Sequence, residues 1–125
     1  MYKIAIPSHK RSKVIRNKVL KFLESHKIDK KLIYIFVAED EYYDYQDELG
    51  DYTIVVGAKG IGPNRMCISN YFGDNEFIVS IDDDVMELYD KGLPLIDLGL
   101  FITQTFHLLI ANDLTLAGVY PSRNP

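Results

Sequence analysis

The chain has 125 residues, of which 47% are hydrophobic and 26% charged, and its formal net charge is −4. This length suits one domain with its own core, and the composition is that of a globular protein, not a disordered one. The single cysteine, Cys67, excludes an intramolecular disulfide and a cysteine metal cluster and is compatible with a reducing compartment. The apolar stretch 93–111 contains Asp97, Gln104 and His107, which favours a core helix over a membrane span. We therefore expect a cytoplasmic protein without a membrane span.

Charge is distributed unevenly along the chain. Residues 1–31 carry ten Lys or Arg and two acids, whereas residues 32–125 carry four basic residues and sixteen acids. A basic first helix can be a solvated face, or it can attract an anionic ligand or partner.

The first predicted elements are a strand and a helix. Tyr2–Ile6 is a short apolar strand that Pro7 ends, and Ser8 and Ser12 are candidate caps for the helix that follows. Apolar side chains at helical spacing predict the buried face of this helix: Ile15, Val19, Phe22 and Leu23. His26 is expected at its end.

The next predicted elements continue the alternation of strand and helix. The near-continuous apolar run Leu32–Ala38 is typical of a strand covered on both faces, and the acids at 39–41 open a short helix. Tyr52–Val56 is a third strand, and the glycine-rich connection 57–63 leads to a helix over Asn64–Phe72.

The last part of the chain is expected to complete the sheet. Glu76–Ile81 is a fourth strand, residues 95–112 form a long apolar helix in which His107 is a core residue, and Leu116–Tyr120 is a final strand. The alternating order predicts an α/β fold: a Rossmann-like three-layer sandwich with a mostly parallel sheet, in a single domain over residues 1–125.

Polar clusters follow the predicted strands, at the edge where such sheets bind ligands. They are Ser8–Arg11, Glu39–Glu41, Gly60–Arg65 and Asp82–Asp84. On an extended strand Asp82 and Asp84 point the same way and Asp83 points opposite. A pair of carboxylates suits a hard divalent cation that also carries phosphate oxygens, although such a cluster can equally be a solvated turn.

Two of these clusters resemble motifs of the nucleotide-sugar glycosyltransferases of the GT-A fold. Ile4–Arg11, read as Ile-Ala-Ile-Pro-Ser-His-Lys-Arg, is similar to the first-strand motif of that family, a hydrophobic strand followed by Pro-(Ser/Thr)-x-x-Arg. Ile81–Asp84 resembles its Asp-x-Asp motif.

The other two clusters extend the resemblance, which covers residues 2–90. Glu39 or Asp40 matches the acid that contacts the nucleobase in this family. Gly60–Arg65 looks like its glycine-rich approach to a helix, with the order Asn64-Arg65 here. A complete GT-A enzyme is longer, so we expect the chain to lack the C-terminal part that carries the acceptor site.

The resemblance implies a role for each charged residue of the motifs. It assigns a Mn²⁺ or Mg²⁺ ion to Asp84 and Asp82, with Asp82 also near the ribose and Asp83 in support. Arg65 would pair with a phosphate or pack beside the base, and Arg11 would lie near the base or the pyrophosphate.

The resemblance also implies a base pocket. Pro7 and Ser8 would line it, and Glu39 or Asp40 would accept the imide N–H of uracil, which favours a UDP-sugar donor. His9 lies beside this site in sequence, but a solvent-facing histidine is the simpler interpretation. We assign no catalytic base.

The expected function is therefore metal-dependent transfer of a sugar from a nucleotide-diphospho-sugar to an unknown acceptor. Ile4–Arg11, the second strand and the acids after the fourth also look like a viral branch that glucosylates hydroxymethylated DNA bases or their glucosyl groups. Modified DNA is therefore a second candidate acceptor, ranked behind glycans, and the oligomeric state stays open.

Three alternatives compete with this function. A haloacid-dehalogenase-type phosphatase also places Asp-x-Asp after a strand, but here Met86 stands where that family has Thr or Val. A sugar nucleotidyltransferase would need a glycine-rich first loop, which Pro7–Arg11 is not. The third is a non-catalytic fragment that binds a metal and a nucleotide.

Overall fold

The structure, a computed structural model, describes residues 2–118 and contains a four-stranded parallel sheet in the order β3-β2-β1-β4. The strands are β1 (Tyr2–Pro7), β2 (Ile33–Val37), β3 (Thr53–Val56) and β4 (Phe77–Ser80). The helices are α1 (Val19–Ser25), α2 (Tyr42–Glu48), α3 (Ile61–Tyr71) and α4 (Leu98–Ala111). Short 3₁₀ turns occupy Ile15–Asn17, Lys30–Leu32 and Glu39–Glu41, and a hairpin pairs β5 (Tyr89–Asp90) with β6 (Leu93–Pro94).

Strand side chains alternate between two apolar clusters. Ile4 and Ile6 of β1 belong to the larger cluster, whereas Ala5 between them belongs to the smaller one. Successive side chains of a strand point to opposite faces, so the two clusters cover opposite faces of the sheet. Ile68 of α3 packs in the smaller cluster, and Leu98 of α4 packs in the larger one with α1.

The prediction of an α/β fold with a parallel sheet flanked by helices is confirmed, and the arrangement is compatible with a Rossmann-like fold. Within residues 2–118, no helix is long and apolar enough to cross a membrane. The predicted final strand is not formed over residues 116–118, and its last two residues lie outside the described residues.

Four local predictions are wrong. The helix predicted over Asn64–Phe72 begins three residues earlier, at Ile61. Neither Ser8 nor Ser12 caps a helix, because a 3₁₀ turn precedes α1 and Lys18 is its N-cap residue. The last helix begins at Leu98 and not at residue 95, since the Asp97 carboxylate accepts the Leu100 N–H (3.0 Å) and so fixes the helix start. His107 is exposed on α4 instead of buried in the core.

An ion cluster ties the turn before α1 to the turn before β3. Asp51 accepts hydrogen bonds from Arg16 Nη2 (2.9 Å) and Lys30 Nζ (2.7 Å). The hydrogen bond from the Arg16 guanidinium, followed by the one from Lys30, holds the pKa of the Asp51 carboxyl well below its usual value. A depressed pKa in the folded state stabilises the fold above the unfolded-state pKa of about 4, and this contribution is lost as the pH falls through the folded-state pKa.

We expect Asp51→Asn to lower stability slightly at pH 7, because the pair is partly exposed and screened by solvent. Below pH of about 4 the difference between the two proteins should shrink, since the wild-type carboxylate then loses its charge-dependent advantage. Urea unfolding of both proteins between pH 7 and pH 2 measures this. A difference that grows on acidification would contradict the assignment.

Candidate nucleotide-binding cleft

A cleft of about 330 Å³ lies at the carboxyl ends of the strands. β1 pairs with β2 on one side and with β4 on the other, so the strand order reverses at β1. Parallel α/β sheets bind ligands at such a reversal, because the loops on its two sides diverge and leave a crevice. The cleft brings together most of the residues predicted from the sequence: Pro7, Ser8, Arg11, Gly60, Asn64, Arg65, Asp82, Asp83 and Asp84.

All three aspartates face this cleft. β4 ends at Ser80, and a turn follows in which the Val85 N–H donates to the Asp82 carbonyl (3.3 Å). The predicted alternation, with Asp83 pointing away, is therefore wrong, because the aspartates are no longer on an extended strand. Asp83 accepts a hydrogen bond from Ser8 Oγ (2.8 Å) and lies 3.5 Å from Arg11 Nε.

The two outer aspartates are exposed. Asp82 pairs with Arg65 Nη2 at 2.8 Å, and Asp83 is the partner of Arg11. Asp84 has no ion pair with any of residues 2–118. Within the same residues, no three His, Cys, Asp or Glu side chains are grouped so that they could hold a metal ion by themselves.

This donor set fits one kind of metal ion. Mg²⁺ and similar hard cations are commonly held by one or two carboxylates together with substrate phosphates and water, not by a complete set of protein ligands. Asp84 can supply such an oxygen, and Asp82, two residues before it, can supply another when Arg65 releases it. The residues present therefore fit a cation that is bound jointly with a phosphate group.

The loop after β1 is held by a buried hydrogen-bond network. Ser8 Oγ donates its one hydrogen to Asp83, so the Tyr45 hydroxyl, 2.7 Å away, must donate to Ser8. The Tyr45 oxygen in turn accepts the Arg11 N–H (3.0 Å). Burial raises the pKa of Tyr45, which keeps this donor protonated at neutral pH.

The acid that faces the cleft after β2 is Glu41. Glu39 and Asp40, the predicted base-contacting acids, are exposed and are not among the described residues that line the cleft. Asp40 instead pairs with Lys59 at 2.9 Å, and this hydrogen bond holds the pKa of Asp40 below its usual value. Glu41 is buried, and so is Tyr45, four residues after it. Residues four apart share a helix face, so this spacing could have identified Glu41 from the sequence.

Asn64 joins the glycine-rich loop to the end of β2. Its Nδ2 donates to the Phe36 carbonyl (2.9 Å), and its Oδ1 accepts the Ala58 N–H (3.3 Å). The side chain is buried, and both ends are engaged. Asn64 thus positions the wall of the cleft that carries Arg65.

We expect Gly57→Ala to destabilise the protein by about 1–3 kcal/mol, as overpacking of a tight site commonly does. A Cβ at Gly57 would overlap Asn64 Oδ1, which cannot turn away without losing its buried hydrogen bonds. Urea unfolding measures the loss. Gly73→Ala is the control, because no atom lies within 4 Å of its added Cβ; equal stability losses in the two variants would show that the overlap is irrelevant.

Comparisons of the chain with protein-family models, with curated proteins and with solved structures found no match.

Proposed function

We propose that the chain binds a nucleotide-diphospho-sugar, a UDP-sugar by preference, together with Mn²⁺ or Mg²⁺, and transfers the sugar to an acceptor hydroxyl. One observation carries the proposal: the cleft at the strand-order reversal places the aspartates after β4 beside Arg65 and Arg11. A diphosphate needs both kinds of partner, cations on the protein and carboxylates that hold a bridging metal ion.

The residues of the cleft have separate tasks in this proposal. Arg65 is the fifth residue of α3, is half-exposed, and is able to exchange Asp82 for a phosphate oxygen. Arg11 Nε lies 3.5 Å from Asp83, and Arg11 also lines the cleft. A metal ion at Asp84 and Asp82 would act as a Lewis acid that neutralises the departing diphosphate.

Pro7 at the end of β1 and Ser8 just after it would line the nucleobase pocket. Pro7 and Ser8 line the cleft, and the Ser8 side chain is fixed by Tyr45 and Asp83, so this wall is preorganised. The finer architecture, a three-layer GT-A sandwich, belongs to the same proposal. The order β3-β2-β1-β4 supports it, since the acids follow the strand next to β1.

Two other functions would use the same cleft. In a phosphatase of the haloacid-dehalogenase type, Asp82 would be the nucleophile, but Met86 stands where that family has Thr or Val. A non-catalytic domain would use the same metal and nucleotide contacts without turnover. Binding alone therefore does not separate it from a transferase.

Turnover distinguishes the three functions. The protein is incubated with UDP-glucose or UDP-galactose and Mn²⁺, with and without EDTA, and UDP release is measured; p-nitrophenyl phosphate is tested in parallel. We expect metal-dependent UDP release and no phosphate-ester hydrolysis. UDP binding without release would favour the non-catalytic domain, and hydrolysis of p-nitrophenyl phosphate would favour the phosphatase.

A further inference from the structure

The loop after β1 has a backbone conformation that its contacts enforce. Lys10 adopts φ +54°, in the left-handed region that residues other than glycine rarely enter. Its N–H donates to Glu41 Oε1 (2.6 Å), and the next N–H, of Arg11, donates to Tyr45. Such conformations persist where the surroundings impose them, and they concentrate at functional sites. His9, the residue before Lys10, lines the cleft.

His9 and Glu41 form a histidine–carboxylate pair. His9 Nδ1 lies 2.8 Å from Glu41 Oε2, and the carboxylate is 12% exposed whereas the imidazole is 64% exposed. A carboxylate oxygen accepts, so Nδ1 carries the hydrogen, and the neutral ring then has its lone pair on Nε2. Nε2 lies on the opposite side of the ring from Glu41. Both residues line the cleft.

We propose that His9 is the general base of the transfer reaction and that Glu41 is its positioning residue. This inference rests on the proposed function. A buried carboxylate that fixes one tautomer and stabilises the imidazolium is the arrangement by which histidine bases are made effective in hydrolases of unrelated folds. His9 is exposed to solvent, as expected from the sequence, but its contact with Glu41 was not predicted.

The step balances without any further reactant. The acceptor oxygen forms a bond to the anomeric carbon as the bond from that carbon to the diphosphate oxygen breaks. The leaving diphosphate takes the electron pair, and His9 Nε2 takes the hydroxyl proton. A direct displacement of this kind inverts the anomeric configuration, so an α-linked donor gives a β-linked product.

The test uses UDP-glucose with Mn²⁺ and water as the acceptor, with UDP binding measured separately by calorimetry. We expect His9→Gln to lower kcat about 10²–10⁴-fold, the usual contribution of a general base, with KM and UDP affinity unchanged. His107→Gln is the matched control, because His107 is exposed on α4 and is not among the residues lining the cleft. We expect it to leave the rate unchanged.

Two readouts separate catalysis from a structural role. Free imidazole should restore part of the rate to His9→Ala, and proton NMR should detect β-glucose as the first product. Glu41→Gln should lower kcat with little change in KM. A folding defect would instead lower UDP binding and the thermal midpoint, and imidazole would not correct it.

Each other outcome has a definite meaning. If the wild-type protein binds UDP but the His9→Gln variant keeps its rate, or if the first product is α-glucose, His9 is not the base. If the wild type binds UDP but shows no turnover, His9 is not a general base, although the proposed nucleotide site still stands. If the wild type binds no UDP, the proposed function itself fails, and the inference fails with it.

Discussion

Asp84→Asn is expected to abolish metal-dependent nucleotide binding while the protein stays folded. The amide keeps the shape of the carboxylate but removes its charge, and a divalent cation depends on that charge. Asp84 is exposed and lies outside the ion pairs of Asp82 and Asp83, so the substitution disturbs no described interaction of the fold. We expect UDP affinity in Mn²⁺ to fall at least to the level measured with EDTA.

The control for this substitution is Asp74→Asn. Asp74 is an exposed acid in the loop between α3 and β4 and is not among the residues that line the cleft. Calorimetry of UDP with Mn²⁺ compares the two variants, and circular dichroism checks their folding. Unfolding of Asp84→Asn would mean that the carboxylate is structural, and undiminished metal-dependent binding would remove Asp84 from the metal site.

Phe36→Ala is expected to cost about 3–5 kcal/mol of unfolding free energy, the usual loss for a fully buried phenylalanine. Phe36 is 0% exposed, packs with Ala5 and Ile68, and meets the Tyr71 and Phe72 rings at centroid distances of 5.3 and 6.0 Å. Its removal leaves a cavity between the sheet and α3, which carries Arg65.

Urea unfolding measures this loss, with Tyr71→Ala as the control. Tyr71 belongs to the same aromatic group but is half-exposed, so we expect its truncation to cost clearly less. Equal losses would mean that the smaller cluster is loosely packed. In that case α3 would not be a fixed wall of the cleft.

The sheet was predictable because its strands are continuous apolar runs that end in polar residues. Leu32–Ala38 predicted β2 within one residue at each end, and the strand order explains why the polar residues after β1 and β4 meet. The short hairpin of β5 and β6 was missed. Its strands have two residues each, too few to show a period.

The location of the cleft could be predicted from the sequence, but the side-chain contacts within it could not. Which acid faces the cleft depends on the 3₁₀ turn over Glu39–Glu41. In that turn, neighbouring residues point in different directions, so Glu41 is buried whereas Asp40 is exposed. The orientation of Asp83 depends on where β4 ends. The His9–Glu41 contact joins residues 32 positions apart, and no local pattern indicates it.

The most direct test of a metal-dependent nucleotide site is calorimetric titration of UDP, GDP, CDP and ADP into the protein, each with Mn²⁺ and then with EDTA. We predict that UDP binds in the presence of Mn²⁺, that EDTA removes this binding, and that Asp84→Asn removes it as well. Failure of all four nucleotides to bind in Mn²⁺ would contradict the proposal and leave the aspartates as a solvated turn.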